Sequence, residues 1–336
     1  MQTFSPTIEE LRAQVDRALR ADLDRHAAAL PEARLLIDEM WRLTAAGGKR
    51  LRPFFCYWGF RAAGGAHCDE IVRAASSLEL LHTFAIVHDD IMDASDERRG
   101  EEPVHARHGI GVGILVGDLA LVLADDAFMG AGFDPVATAR AFSAYSRMRQ
   151  EVIAGQYLDL AYAARSGITV EEARRVAVLK SGRYSIEEPL VIGAALASAG
   201  DDFIERLTEF GRPLGEAFQL RDDLLGTFGD RADVGKPVDS DIIEGKRNVL
   251  YAFAAERVSG DAADFLRTRW GGPGLGDDEI QRLRALVESS GARAATENLL
   301  EEQVRTALGH LDGLTPSPDA GAALEELVFL ATARRT

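Results

Sequence analysis

The stretch from Asp69 to Asp93 constrains the fold more than any other part of the chain. Its apolar residues, Ile71, Val72, Ala75, Leu78, Leu80, Leu81, Phe84, Ile86 and Val87, fall on every face of a 3.6-residue period. The helix they form is therefore central and buried rather than amphipathic. The same helix ends in His88-Asp89-Asp90-Ile91-Met92-Asp93. Three carboxylates there repel one another, at the helix end where the macrodipole disfavours negative charge. Folding alone gives no reason for them. Asp89 and Asp93 are four residues apart, about 6 Å along the axis and on one face. That spacing suits hard divalent cations, and Mg²⁺ takes one or two carboxylates and completes its shell with water and phosphate.

The rest of the sequence reads as helix after helix, with breaks at 45–48, 64–67, 130–135, 166–168, 200–202 and 270–276. Asp312-Gly313 lacks alternating flanks and is followed by Pro316 and Pro318, so it reads as a loop before a last helix, not a hairpin. An all-α protein is expected. No composition shift, long linker or repeat divides the 336 residues, so 1–336 is expected to be a single domain.

Lys and Arg number 38 against 54 Asp and Glu, a formal charge of −16, which argues against a nucleic-acid binder. Cys56 and Cys68, the two cysteines, form neither a disulfide framework nor a four-ligand zinc site, so a reducing cytoplasm is expected. The first ten residues lack the basic and apolar regions of a signal peptide, and no leader is expected. The longest apolar stretch, 109–124, is interrupted by Asp118, so no transmembrane segment is expected.

A second acidic pair, Asp222-Asp223, closes another apolar helical run, from Phe203 to Leu220. Basic residues accompany both acidic sites: Arg98-Arg99 after the first, Lys236 and Lys246 after the second, and a knot at Lys49, Arg50 and Arg52. Carboxylates, metals and Lys or Arg groups converging on one pocket suit a diphosphate. Taken in order, Gly47-Gly-Lys-Arg-Leu-Arg-Pro53, Leu81-His-Thr-Phe-Ala-Ile-Val-His-Asp-Asp-Ile-Met-Asp93, Arg98-Arg-Gly100, Gly155-Gln-Tyr-Leu-Asp159, Lys180-Ser181, Gln219-Leu-Arg-Asp-Asp223 and Gly235-Lys-Pro237 with Gly245-Lys246 resemble the motifs of the trans-isoprenyl diphosphate synthases, the polyprenyl synthetases. The resemblance is closest to geranylgeranyl diphosphate synthase.

That resemblance implies a single-domain helical bundle around a deep central cavity, a homodimer, and a short-chain trans-prenyltransferase. Three Mg²⁺ per active site would be held by Asp89, Asp93 and Asp222, with Arg98, Lys180 and Lys236 adding positive charge around an allylic diphosphate. Isopentenyl diphosphate would be held by Lys49, Arg52, His82 and Arg99, with Gln219 and Lys246 also on the substrates. The allylic C–O bond ionises, the isopentenyl double bond attacks the cation, and a proton leaves to form the new trans alkene; no protein nucleophile takes part.

The chain departs from the family pattern at Gly226, where many relatives carry a third Asp, and at Asp239 and Asn248, where relatives often have Gly and a hydroxyl residue. With Gly226 in place, Gln219 one turn before Asp222 is the expected supporting group. A terpene cyclase reading fails because neither Asn248 nor Asn298 begins the required Asn or Asp, Ser or Thr, Glu pattern. A non-catalytic partner subunit would usually lose the first aspartates or the lysines, and both are kept. His105 and His108 read as surface residues. Product length rests on Phe84 and Ala85, the fifth and fourth positions before the first motif. An aromatic followed by a small residue resembles the C20, geranylgeranyl type, with C15, farnesyl, as the alternative.

Overall fold

The computed structural model describes residues 6–165, 167–229, 239–314 and 316–332. Regular structure among them is helical, and the one strand-like feature is an isolated bridge between Arg98 and Glu101. The order is α1 (Ile8–Ala29), α2 (Arg34–Ala45), α3 (Leu51–Ala62), α4 (Asp69–Met92), α5 (Val104–His108), α6 (Ile110–Met129), α7 (Pro135–Ala163) and α8 (Val170–Ala177). A π-helical segment, Val178–Glu187, leads into α9 (Glu188–Leu196) and α10 (Asp201–Phe228). Then follow α11 (Ser240–Glu244), α12 (Val249–Arg257), α13 (Gly260–Arg269), α14 (Asp277–Ser289), α15 (Ala292–Leu314) and α16 (Pro318–Thr332). The chain divides into two compact units: Met1–Tyr145 with Glu188–Thr208 and Leu314–Leu327, and Ser146–Glu187 with Glu209–Gly313 and Val328–Thr336.

In the first unit α4 packs against α1, α2, α3, α5, α6 and α9, and Ile71, Ala75, Leu78, Leu80, Leu81 and Val87 are all buried. Apolar residues on every face have neighbours on every face, as the sequence requires. Helices α3 and α9 approach so closely that side chains are excluded between them. A Cβ on Gly59 would lie 2.9 Å from the Leu190 Cα, and one on Gly193 would collide with the Cys56 carbonyl and lie 2.7 Å from the Phe60 nitrogen.

In the second unit, Leu220, Leu224, Ile242, Val249, Leu250, Tyr251, Trp270, Leu283 and Val287 form one core. This core corrects one boundary. Asp222-Asp223 does not close its helix, because Leu224, one turn beyond Leu220, is drawn into the same core and α10 runs on to Phe228.

Gly193→Ala should destabilise the protein by about 3 kcal/mol or more, because the added methyl meets backbone that cannot move aside. Gly309→Ala, in α15 with nothing within 4 Å of its would-be Cβ, should stabilise by about 0.5–1 kcal/mol. Thermal denaturation of the two variants checks both signs.

Candidate active site

The first cluster is built at the C-terminal end of α4 and the loops beside it. The two adjacent carboxylates there do different work. Asp89 is half-buried, whereas Asp90 is buried and takes the guanidinium fork of Arg98: Nε donates to Oδ1 at 2.9 Å and to Oδ2 at 3.2 Å, and Nη2 donates to Oδ1. The same Nη2 is 3.6 Å from Asp89 Oδ2. Arg98 is thus tied to a partner that spacing alone did not assign, with its charge beside Asp89. Asp93, half-buried, is the first residue past the helix. Two carboxylates one turn apart, without sulfur or imidazole, are a donor set that fits Mg²⁺. Among the described residues no three His, Cys, Asp or Glu side chains form a ready-made cage, so a cation here would complete its shell with water or phosphate.

Two turns back along α4, His82 lies among guanidinium groups. Burial, together with the charges of Arg52, Arg99, Arg98 and Arg50, holds its imidazole well below the ordinary pKa, so it is neutral at pH 7. Arg99 sits at a left-handed backbone position, φ 55°, and its Nη1 donates to the carbonyls of Leu43 at 2.8 Å and Gly47 at 2.6 Å. Lys49 is exposed and Arg52 half-buried at the start of α3. Of the two residues assigned to product length, Ala85 is half-buried, and the Phe84 ring meets the His88 ring edge-on at 5.0 Å between centroids. His105 and His108 are half-covered rather than free on the surface, and His108 Nε2 lies 3.3 Å from Glu39.

The second cluster lies in the other unit. A Cβ on Gly155 of α7 would fall 2.7 Å from the Lys180 Cα, so only glycine lets the π-helical segment come so near. One turn on from Gly155, Asp159 accepts from Lys180 Nζ at 2.6 Å and from Lys246 Nζ at 3.2 Å. Burial opposes ionisation of Asp159, but the two lysines outweigh it and lower its pKa. Asp159 stands in the Gly155-Gln-Tyr-Leu-Asp159 motif, to which the sequence alone assigns no role, because its partners lie 21 and 87 residues away. Lys236 lies outside the described residues.

Asp222 is exposed and Asp223 buried, repeating the division seen at Asp89-Asp90. Asp223 accepts from Gln219 Nε2 at 2.8 Å and from the Val249 backbone N–H at 3.3 Å. Gln219 therefore serves Asp223, not the outward face of Asp222. Burial, with Asp241 nearby, pushes the Asp223 carboxyl up to about 8.

The three departures from the family pattern now have physical accounts. A Cβ on Gly226 would lie 2.6 Å from the Asp241 carboxylate, so that carboxylate fills the space a side chain at 226 needs. Asn248 donates to Asp241 Oδ2 at 2.9 Å, while its own Oδ1 caps α12 by accepting from the Tyr251 N–H at 3.0 Å. Asp239 is left-handed, φ 70°, a conformation open to Gly and tolerated by Asp, and it is ion-paired with Arg284. Gly226→Asp should therefore lower thermal stability by about 1–3 kcal/mol, instead of restoring a family-like site. Gly226→Asp combined with Asp241→Ala should recover most of the loss, and a double-mutant cycle by thermal denaturation reads the coupling.

Residues 34–287 match the polyprenyl synthetase family model. The chain is 32% identical over 310 residues to geranylgeranyl diphosphate synthase of Sulfolobus acidocaldarius, covering 89% of this chain and 91% of that one. It is also 32% identical over 295 residues to geranylfarnesyl diphosphate synthase of Aeropyrum pernix, covering 86% and 89%. A crystal structure of geranylgeranyl pyrophosphate synthase from Corynebacterium glutamicum, complexed with isoprenyl diphosphate and magnesium, superposes with a TM-score of 0.94 at 34% identity, covering 98% of this chain and 100% of that one. With the ordered motifs, the all-helical fold and these likenesses in agreement, the chain belongs to the polyprenyl synthetase family, the trans-isoprenyl diphosphate synthases.

Proposed function

We propose that the protein is a magnesium-dependent, short-chain trans-prenyltransferase that condenses isopentenyl diphosphate with dimethylallyl, geranyl or farnesyl diphosphate, ending at geranylgeranyl diphosphate. The observation that carries this reading is the spacing of two groups on α4. His82, among its guanidinium groups, and Asp89 are seven residues apart on one helix. That puts a cationic site and a cation-binding site on one face, about 10 Å from each other. A reaction joining two diphosphate-bearing molecules needs both.

In this reading Asp89, Asp93 and Asp222 hold three Mg²⁺, which when bound stabilise negative charge on the departing diphosphate. Lys180, Lys236 and Arg98 add positive charge for the allylic diphosphate, Lys246 supports that site, and Gln219 acts only through its bond to Asp223. Asp159 keeps Lys180 and Lys246 together until a diphosphate competes for them. Lys49, Arg52 and Arg99 bind the isopentenyl diphosphate, and His82, neutral, contributes a hydrogen bond rather than a charge. Ala85 leaves the helix face before Asp89 open to a growing chain, and Phe84 bounds it. Identity near 32% to both C20 and C25 synthases leaves product length to such positions.

The single domain 1–336 and a cytoplasmic location, consistent with free Cys56 and Cys68, belong to the same reading. No helix among the described residues is long and apolar enough to cross a membrane. A homodimer is supported by α6, where Val116, Ala120 and Leu123 are buried while Leu115, Val122 and Met129, seven residues apart, are each more than half exposed. Such a stripe is the kind a second copy covers. Leu115→Glu with Val122→Glu should convert a dimer into monomer in sedimentation; a wild-type protein that sediments only at 36.4 kDa counts against the assignment.

A product-resolved assay tests the reaction. Wild type should give C20 product from dimethylallyl and isopentenyl diphosphates, lose activity in EDTA and regain it with Mg²⁺. Asp89→Ala should lower kcat at least about a hundredfold while changing stability by less than about 1 kcal/mol. Phe84→Ala should shift the mass spectrum of products. Near wild-type turnover in Asp89→Ala sinks the metal assignment, and an unchanged product pattern in Phe84→Ala sinks the length argument.

A further inference from the structure

We propose that Arg50 is the positioning residue of the isopentenyl diphosphate site: its guanidinium fastens the 46–50 loop to α1 and α4, so that Lys49, Arg52 and Arg99 present their charges to one diphosphate. The inference rests on reading that cluster as a diphosphate site, and it gives a role to the one basic residue of the Lys49, Arg50 and Arg52 knot that the reaction does not use.

The loop between α2 and α3 turns through left-handed backbone at Gly47, φ 121°, Gly48, φ 130°, and Arg50, φ 54°. Glycine adopts such angles freely, whereas an arginine Cβ in the left-handed conformation crowds the following carbonyl oxygen. Here the side chain supplies the compensation. Arg50 is 5% exposed. Its Nε donates to Asp16 Oδ1 of α1 at 2.8 Å, and Nη1 donates to Glu79 Oε2 of α4 at 3.1 Å and to the Gly47 carbonyl at 3.0 Å. Nη2 donates to the Thr44 carbonyl, near the end of α2, at 2.7 Å. With two carboxylates and two carbonyls around it, the guanidinium is consumed by the protein rather than offered to a ligand.

The same carbonyl links it to the site. Gly47 O accepts from both Arg50 and Arg99, and a Cβ on Gly48 would lie 2.9 Å from Arg50 Nη1 and 3.2 Å from Arg99 Nη2. The two guanidiniums therefore flank one glycine, and the position of Arg99 depends on where Arg50 holds the loop. Lysine cannot reproduce this, since its ammonium is a single point and not a fork.

Steady-state kinetics with each substrate varied separately tests the proposal on Arg50→Lys, which keeps the charge, and Arg50→Gly, which relieves the backbone strain. Both should raise KM for isopentenyl diphosphate about tenfold while KM for the allylic diphosphate and kcat stay within about twofold, the pattern of lost uniform binding. Calorimetric affinity for isopentenyl diphosphate in EDTA should fall by the same factor. Wild-type KM in Arg50→Gly overturns the proposal, because the backbone shape alone would then suffice. Equal changes in both KM values and kcat, tracking a lowered melting temperature, overturn it in favour of general stability. Arg52→Ala separates the two levels: if it leaves KM for isopentenyl diphosphate unchanged, the diphosphate reading of the cluster fails and the inference with it. If it raises KM while the Arg50 variants do not, only the inference fails. Should neither Arg50 variant fold, Asp16→Asn decides, since that carboxylate is 34% exposed. A rise in the same KM of about twofold or more supports the proposal, and no rise overturns it.

Discussion

Burial of α4 on every face is the constraint on which the first unit depends. Each fully buried Leu, Ile or Val on it contributes about 1.5–3 kcal/mol relative to exposure. A carboxylate at a helix C-terminus costs about 0.3–1 kcal/mol. The apolar stem therefore outweighs the acidic tip several times over, and Asp89, Asp90 and Asp93 are carried by packing that does not involve them. The loops that bear the cationic groups are fastened to the same helix, through Glu79 to Arg50 and through Asp90 to Arg98.

Both acidic pairs divide their labour in one way. The second carboxylate of each pair is buried and satisfied, Asp90 by Arg98 and Asp223 by Gln219 and the Val249 N–H, while Asp89 and Asp222 keep more exposure. Adjacent residues on a helix point about 100° apart, so one of two neighbours can face inward and hold the other's backbone in place. The electrostatic logic is local. A chain of net charge −16 still assembles several guanidiniums around one imidazole, and Arg50, Arg98 and Arg99 are each balanced at short range by a carboxylate or a carbonyl.

The sequence made the helical architecture legible where its signal is periodic: α4 and α6 appear near their observed bounds, and the breaks near Gly47, Gly64 and Gly271 are real. It also singles out Asp89, Asp93 and Asp222 as candidate ligands through spacing and order. What it did not reveal depends on contacts between segments far apart in sequence. The Asp241 carboxylate above Gly226, the two lysines on Asp159 and the Gln219–Asp223 bond each require knowing which backbone approaches which. The end of α10 is hidden for a related reason: an acidic pair resembles a terminus, and only the core that Leu224 shares with Leu220 and Val249 carries the helix past it. Arg50 was visible only as one charge in a basic knot, and its burial against Asp16 and Glu79 could not be read from neighbours in sequence.

The π-helical segment from Val178 to Glu187 carries a consequence for how this chain can change over time. Such wide turns are usually single, and here the run extends over ten residues. A deletion after Lys180 that left the wide turns in place would put every following side chain out of phase with its neighbours. Lys180, near its start, would keep its station against Gly155, but Gly182 and Arg183, which meet Gly215 and Glu151, would swing away from them. Substitution at Gly182, where a Cβ would lie 2.8 Å from the Gly215 carbonyl carbon, is closed as firmly as a change of length.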